Sequence, residues 1–213
     1  MPGEWLAQTS MLGLLLCGRR MPEGWASNAE SVDFFDIKGE IEAVLQAANQ
    51  TVTFRSAVRP GLHDGQTAEI LLGEEVVGVM GRLHPSTAKT LNLPEQIFVA
   101  ELELASLMGR ALPNYEEISK FPEVRRDIAV IVNRDTPSAA VLDIARASAG
   151  AALADARIFD VYEGDGVAEN AKSLAIGLTF RDQSRTLTDE EVNETLSQVV
   201  ECLKEKLGAT LRH

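Results

Sequence analysis

The sequence predicts an α+β protein of two domains, a strand-rich domain over residues 1–112 and a βαββαβ domain over 120–213, joined by a linker at 113–119. Three observations lead there. Apolar residues switch along the chain between alternation and three-to-four spacing, the periods of strands and helices. A cluster of breakers, Gly109, Pro113 and Asn114, interrupts the pattern near the middle. Beyond it, the signals run strand, helix, strand, strand, helix, strand.

In the first domain, residues 12–17 read as a buried strand. Residues 33–48 read as an amphipathic helix, with Phe34, Ile37, Ile41, Val44, Leu45 and Ala48 on one side. Asp33, Asp36 and Glu40 at its start suit the positive end of the helix dipole better than paired-carboxylate chemistry. Residues 52–58 alternate, and 69–72 with 76–83 flank a Gly-Glu-Glu turn as a hairpin. A short helix starts at Pro85, after His84. Residues 97–107 alternate again, with Phe98, Ala100, Leu102 and Leu104 on one face.

In the second domain, residues 126–133 form a strand with Ile128, Val130 and Val132 inward. Thr136 is expected to cap a helix that has Pro137 at its first position and Gly150 at its end. Strands follow at 154–162 and 173–181, the second burying Leu174, Ile176, Leu178 and Phe180. Thr188 and Glu191 form a capping box for a helix burying Val192, Leu196, Val199, Leu203 and Leu207, which Gly208 stops. Residues 209–212 supply a last strand. The order is that of the ferredoxin-like split βαβ arrangement.

Composition restricts function. With 45% hydrophobic and 24% charged residues the chain is an ordinary folded protein. Its longest early apolar run, 11–17, is far too short to span a membrane, and no signal-peptide pattern precedes it. Cys17 and Cys202 read as buried free thiols in a reducing cytosol. These readings predict a cytoplasmic protein. Net charge is −12; residues 1–116 carry 8 bases and 15 acids, and 117–213 carry 12 bases and 17 acids. Neither half is a basic cloud, so any nucleic-acid contact has to come from a local patch.

Several segments carry a resemblance. Phe121-Pro-Glu-Val-Arg-Arg-Asp-Ile128, Phe159-Asp-Val-Tyr-Glu-Gly164, Lys172-Ser-Leu-Ala175, Arg185-Thr-Leu-Thr-Asp-Glu-Glu-Val192 and Ala209-Thr-Leu-Arg212 occur in order. Together they resemble the ferredoxin-fold anticodon-binding domain of bacterial phenylalanyl-tRNA synthetase β subunits. Asp33-Phe-Phe-Asp-Ile-Lys-Gly-Glu40, Gly81-Arg-Leu-His-Pro85 and Val99-Ala-Glu-Leu-Glu-Leu104 are similar to the catalytic-like domain of the same subunit. The turn Leu62-His-Asp-Gly65 departs from the family's usual Leu-His-Pro-Gly. The resemblance implies an incomplete class II synthetase-like antiparallel sheet domain followed by the ferredoxin-like domain. It also implies an excised C-terminal piece of a subunit whose editing and other tRNA-binding-like domains lie upstream. The implied partners are tRNA-Phe and a synthetase α subunit in an α2β2 assembly, with no membrane or DNA partner. ATP and magnesium belong to the whole synthetase, with no cofactor in this piece.

No catalytic residue is expected. A class II site holds ATP phosphates with an Arg in Phe-Arg-x-Glu and a second Arg after a glycine-rich strand, because guanidinium forks bind phosphate bidentately. Thr53-Phe-Arg-Ser56 lacks the glutamate, and Gly78-Val-Met-Gly81-Arg82 falls short of the second pattern. His63 and His84, 21 residues apart, have no companion at metal-ligand spacing and read as structural.

The expected RNA-binding residues are Lys120, Arg125, Arg126, Arg181, Arg185 and Tyr162. Lys120, Arg125 and Arg126 precede or begin the second domain's first strand, and Arg181 and Arg185 follow its third. Those strands are the central antiparallel neighbours of a βαββαβ sheet, so the five cations are expected to converge on one phosphate-binding patch. The competing reading pairs Arg126 with Asp127 or Asp182 and gives Arg185 to the following helix. On the open sheet face, Ala129, Ile131, Ser173, Ala175, Gly177 and Thr179 offer no aromatic for base stacking, Tyr162 being the nearest. That flat face favours docking of protein, and contact with RNA is expected from edge loops and the basic cluster. A small-molecule sensor of this topology is disfavoured because Thr136-Pro137 lacks the glycine that opens room for a ligand.

Overall fold

The computed structural model describes residues 8–108 and 119–212. The chain divides into two compact units, Met1–Tyr115 and Glu116–His213. The expected linker, apart from Ser119, lies outside the described residues.

The first unit contains β1 (Met11–Cys17), α1 (Phe34–Ala47), β2 (Thr53–Ser56), β3 (Leu62–Leu72), β4 (Glu75–Leu83), α2 (Pro85–Thr90), β5 (Ile97–Glu103) and α3 (Leu104–Leu107). Its five strands form one antiparallel sheet in the order β1-β5-β4-β3-β2. The helix α1 covers one face. Ile37, Ile41 and Leu45, four residues apart, are buried against Ile70, Met80, Phe98, Ala100 and Leu102. Gly73 opens the two-residue β3–β4 turn at φ +63°, a value that glycine adopts without steric cost. Gly78 in β4 is required by a close approach: a Cβ there would lie 2.5 Å from the Glu101 carbonyl oxygen.

Acids at the start of α1 do the structural work that the sequence assigned to them, with an added cation. Asp33 Oδ1 accepts from the N–H groups of Phe35 and Asp36 at 2.7 and 3.1 Å, and Asp36 Oδ2 accepts from the Asp33 N–H at 2.7 Å. Arg20 then bridges Glu30, Asp33 and Asp36 at 3.0, 2.8 and 2.9 Å. Its pKa is raised, chiefly by the hydrogen bond and charge of Asp36. The chain between β1 and α1 is thereby tied to the helix start.

Two readings of this unit need correction. Residues 12–17 are not a buried strand: β1 is a sheet edge whose odd-numbered residues face solvent, with Leu15 63% exposed. Cys17 shares that face and is exposed, and Cys202 is half-buried; both thiols are free. The alternation of 97–107 also stops early. β5 ends at Glu103, where its partner β1 begins at Met11, and without a strand to pair with, Leu104–Leu107 coils into a helical turn.

The second unit contains β6 (Val124–Asn133), α4 (Ser138–Ala149), a 3₁₀ turn at Gly150–Ala152, β7 (Leu153–Tyr162), β8 (Ala171–Phe180), α5 (Asp189–Leu207) and β9 (Thr210–Leu211). Its sheet order is β7-β8-β6-β9, all antiparallel, which is the ferredoxin-like arrangement. Leu174, Ile176, Leu178 and Phe180 are fully buried against Val141 and Ala145 of α4 and Val192, Val199 and Leu203 of α5. Leu196 and Leu207 pack at the margin of that core. Thr136 does not cap α4. Pro137 is the N-cap residue and makes no side-chain cap bond. An Asn133-centred turn precedes it, the Asn133 Oδ1 accepting from Asp135 N–H and its carbonyl from Thr136 N–H. The last strand is shorter than expected, pairing only Leu211 with Val130 and Thr210 with Ile131.

The start of α5 is strongly specified. Glu191 N–H donates to Thr188 Oγ1 at 3.3 Å, and Thr188 N–H donates to Glu191 Oε2 at 2.9 Å. Arg185 adds two parallel bonds to the Glu191 carboxylate at 2.7 and 2.8 Å. These contacts, Arg185 foremost, lower the Glu191 pKa from 4.5 to about 2. Gly208 ends the helix at φ +63°.

Two predictions follow from this packing. Leu203→Ala removes a fully buried side chain and is expected to destabilise the second unit by about 2–5 kcal/mol, read from amide hydrogen exchange in β6 and β8. The second concerns acid. A carboxyl whose folded pKa is depressed stabilises the fold above its unfolded pKa, near 4.5, and loses that contribution as pH falls through the folded value, about 2. Acid titration of Glu191→Gln should therefore show its stability deficit in full above about pH 5, shrinking steadily towards about pH 2. A deficit independent of pH would show that the charge of Glu191 is not what matters.

Candidate nucleic-acid interface

The antiparallel register of the second unit puts the start of β6 beside the end of β8: Val124 faces Phe180, Arg125 faces Thr179 and Arg126 faces Leu178. Ser119 Oγ donates to the Asp182 carbonyl at 2.9 Å and draws the segment carrying Lys120 to the same end. The expected cations therefore do gather at one end of the sheet. They do not form one patch, however, because successive side chains of a strand point to opposite faces. Arg125 lies on the open face, whereas Arg126 lies on the helix side and pairs with Asp189 at the start of α5.

Their electrostatics differ too. Arg125 pairs with Asp127 at 2.8 Å, and Arg185 is held by Glu191. Asp182 pairs with neither cation by ion-pair distance. Its Oδ1 accepts from Ser184 N–H and Oγ, both at 2.7 Å, and from Arg185 N–H at 3.2 Å. These bonds, those of Ser184 first, lower its pKa. Among the described residues, Lys120 and Arg181 have no ion-pair partner; Lys120 is exposed and Arg181 half-buried. The two are the cations of the set most available to an outside phosphate.

The open face holds the expected Tyr162 together with Phe159 and Arg212, which the sequence reading missed. The central strands β6 and β8 do lack aromatics there, but β7 brings two rings to the same face. Tyr162 stands in register with Ser173, next to Ile131 on β6. The Arg212 guanidinium lies 4.4 Å from the centroid of the Tyr162 ring. Arg212 is placed by its N–H, which donates to the Ala129 carbonyl at 2.9 Å just beyond β9. The Tyr162 hydroxyl donates to the Asp165 carbonyl at 3.3 Å, across Gly164. A Cβ at Gly164 would sit 2.9 Å from that hydroxyl, so the glycine admits the ring.

The second ring is Phe159, 51% exposed, with the Arg125 guanidinium 5.6 Å from its centroid. A register shift between Ile158 and Asp160 leaves Phe159 as the extra residue of a β-bulge. Arg125 reaches it across β8 by way of Gly177. A Cβ at Gly177 would lie 3.0 Å from the Arg125 Nη2 and 3.2 Å from Asp127 Oδ1. A glycine inside a strand is a sign of such an approach, and this was the sequence signal available. The pairing of Tyr162 with Arg212, fifty residues apart, had none.

In the first unit, the arginines compared with a phosphate-binding pattern have other partners. Arg55 pairs with Glu69 at 2.7 Å, and Arg82 Nη2 donates to the Glu95 carbonyl at 3.3 Å. Glu69 also pairs with Arg59, and its pKa is lowered, mainly by Arg55. His63 and His84 lie with ring centroids 6.5 Å apart. Each Nδ1 accepts a local backbone N–H, from Gly65 and Ser86 respectively. Among the described residues no group of three or more His, Cys, Asp or Glu is placed to hold a metal ion, and no helix is long and apolar enough to cross a membrane.

Comparison with known proteins agrees with this layout. Residues 119–212 match the ferredoxin-fold anticodon binding domain family, and residues 2–104 match the phenylalanyl tRNA synthetase beta chain CLM domain family. The chain is 48% identical over 211 residues to the phenylalanine–tRNA ligase β subunit of Pseudomonas syringae pv. tomato, covering 98% of this chain and 27% of that protein. It is 43% identical over 210 residues to the same subunit of Hahella chejuensis, covering 99% and 27%, and 41% identical over 208 residues to that of Methylococcus capsulatus, covering 97% and 26%. The chain thus spans about a quarter of the length of these relatives. Both units and nearly every residue are accounted for by one subunit type, and the chain belongs to the phenylalanyl-tRNA synthetase β-chain family, as a piece comprising its catalytic-like and anticodon-binding domains.

Proposed function

We propose that this chain supports ATP-dependent charging of tRNA-Phe as part of a synthetase β subunit in the cytoplasm, without carrying out the chemistry. The second unit contacts the anticodon region, and the first acts as a scaffold for the α subunit in an α2β2 assembly. ATP and magnesium are used by the whole synthetase and are held elsewhere than in this piece. Domain limits of 1–112 and 120–213 fit this division of labour.

The observation that carries the reading is the open face of the second unit. Two aromatic rings, each with an arginine over or beside it, stand on a sheet face whose strand β8 offers only Ser173, Ala175, Gly177 and Thr179. Unpaired bases stack on rings and guanidinium planes, and small neighbours leave them room. Tyr162 with Arg212 is the stronger platform, being the closer pair. Lys120 and Arg181 meet phosphate at the strand ends, while Arg125, Arg126 and Arg185 contribute charge already balanced by carboxylates. The contact orients tRNA for a distant reaction.

A second reading, a protein-docking module without RNA contact, draws on the net charge of −12 and on those three ion-paired arginines. Binding of labelled tRNA-Phe and a mismatched tRNA to the whole chain across a salt series separates the two. On the RNA reading, Tyr162→Ala costs about 1–3 kcal/mol of binding with little change in salt slope. Lys120→Ala and Arg181→Ala each lower the salt slope by about 1. No binding up to roughly 100 μM, weaker than ordinary non-specific contact, would favour protein docking.

A further inference from the structure

Two Asp-Gly dipeptides occur in the chain, Asp64-Gly65 and Asp165-Gly166. Such a dipeptide can rearrange without an enzyme. The main-chain nitrogen after the aspartate attacks the side-chain carboxyl carbon, an intramolecular step favoured by proximity, and a glycine in second place leaves that nitrogen unobstructed. A fold opposes the reaction where it holds the N–H in a hydrogen bond and so fixes the orientation of the peptide. The two dipeptides differ on this point.

Asp64-Gly65 lies within β3. The Gly65 N–H donates to His63 Nδ1 at 3.1 Å, and the His63 carbonyl accepts from Thr67 Oγ1 at 2.7 Å. Asp165-Gly166 lies between β7 and β8, in a turn closed by the Val167 N–H donating to the Gly164 carbonyl at 3.0 Å. Gly166 is the third residue of that turn, with φ +85°, the sign that a type II turn requires there. Both residues are exposed, and a Cβ at Gly166 would meet nothing within 4 Å. Among the described residues, neither the Gly166 N–H nor the Asp165 carboxylate has a hydrogen-bond or ion-pair partner. The Asp165 carbonyl accepts from the Tyr162 hydroxyl at 3.3 Å, long for a bond of that type.

We propose that Asp165 is a site of spontaneous isomerisation to isoaspartate and that Asp64 is not. The Gly166 nitrogen bonds to Asp165 Cγ, and one carboxyl oxygen leaves as water with the carboxyl proton and the amide proton, giving a cyclic succinimide. Water then reopens the ring. Addition at Cγ restores aspartate. Addition at the main-chain carbonyl carbon breaks its bond to the Gly166 nitrogen and leaves the chain running through Cβ and Cγ. The water lost in the first step is regained in the second, and no oxidant or reductant takes part. The backbone at this position is then longer by one carbon, and the former Asp165 carbonyl has become a carboxylate beside the chain. That carbonyl is the acceptor of the Tyr162 hydroxyl, so isomerisation alters the turn that holds the ring. The reaction does not depend on the RNA reading, although it acts beside one of the residues that reading uses.

Ageing of the whole chain in warm neutral buffer, followed by tryptic digestion, chromatography and mass spectrometry, tests this. Peptide 158–172 should split into two components of equal mass, the new one a substrate for isoaspartyl methyltransferase, with a transient form lighter by one water. Peptide 56–82, which carries Asp64, should stay single. Asp165→Glu has to close a larger ring and should lower the new component to the level of peptide 56–82, with circular dichroism showing that the fold is kept. In concentrated urea both dipeptides should isomerise at similar rates, because Gly65 has then lost its hydrogen bond. Absence of the new component from the folded chain, isomerisation at Asp64 as fast as at Asp165, or a difference that persists in urea would overturn the proposal. So would a component that survives Asp165→Glu, which would place the reaction at another residue of the peptide, such as Asp160.

Discussion

The second unit rests on the alternation of β8. Leu174, Ile176, Leu178 and Phe180 all sit at 0% exposure, sealed between the sheet and two helices. Because a strand turns successive residues to opposite sides, this choice leaves Ser173, Ala175, Gly177 and Thr179 to make the other face. A shift of one residue would bury the small set and expose the large one, so the register cannot slip. Small residues down the centre of the open face then leave a shallow floor. Side chains from the flanking strand β7 and from the tail after β9 reach over it: Tyr162 and Phe159 from one side, Arg212 from the other. The core and the candidate RNA surface are two consequences of one pattern.

On the proposed RNA reading, acidity and binding are reconciled locally. Carboxylates hold Arg125, Arg126 and Arg185, which lowers the field of that end of the sheet but fixes the guanidinium planes in place. Exposed pairs of this kind add little stability. Their value is geometric, and for Arg185 it includes completing the start of α5. On that reading, a surface built this way would rely on stacking more than on bulk charge, with affinity supplemented by the rest of the proposed assembly.

Much of this was legible in the sequence because it is encoded locally. Thr188, Glu191 and Gly208 announce both ends of α5, and the apolar stripe between them is unambiguous. The order of elements in the second unit, and with it the neighbourhood of β6 and β8, follows from such signals. The readings that failed lacked local information. In β1, Met-Leu-Gly-Leu-Leu-Leu-Cys has no polar residue to mark its exposed side, so an edge strand looked buried. Leu104 continues the alternation of β5 in sequence, but no neighbouring strand remains there to pair with. Arg20 meets three carboxylates through a loop closure that no periodicity reports. The ring of Phe159 reaches the open face by a bulge, and Arg212 meets Tyr162 only once the sheet has formed. Alternation on the two central strands shows the floor of the site but not the side chains that cross it from the edges.

Gly177 sets stability against the placement of Arg125 beside Phe159. A glycine in a strand interior is a poor residue for the fold, because the unfolded chain gains freedom and no side chain packs. Alanine would improve the strand by about 0.5–1 kcal/mol on that count. Its methyl group would meet only the ends of flexible side chains, Arg125 and Asp127, and the backbone would not resist it. Selection for stability alone would therefore fill this position readily. The cost would fall on the lane by which Arg125 crosses β8 to Phe159, leaving a sturdier domain with a cation displaced from its ring.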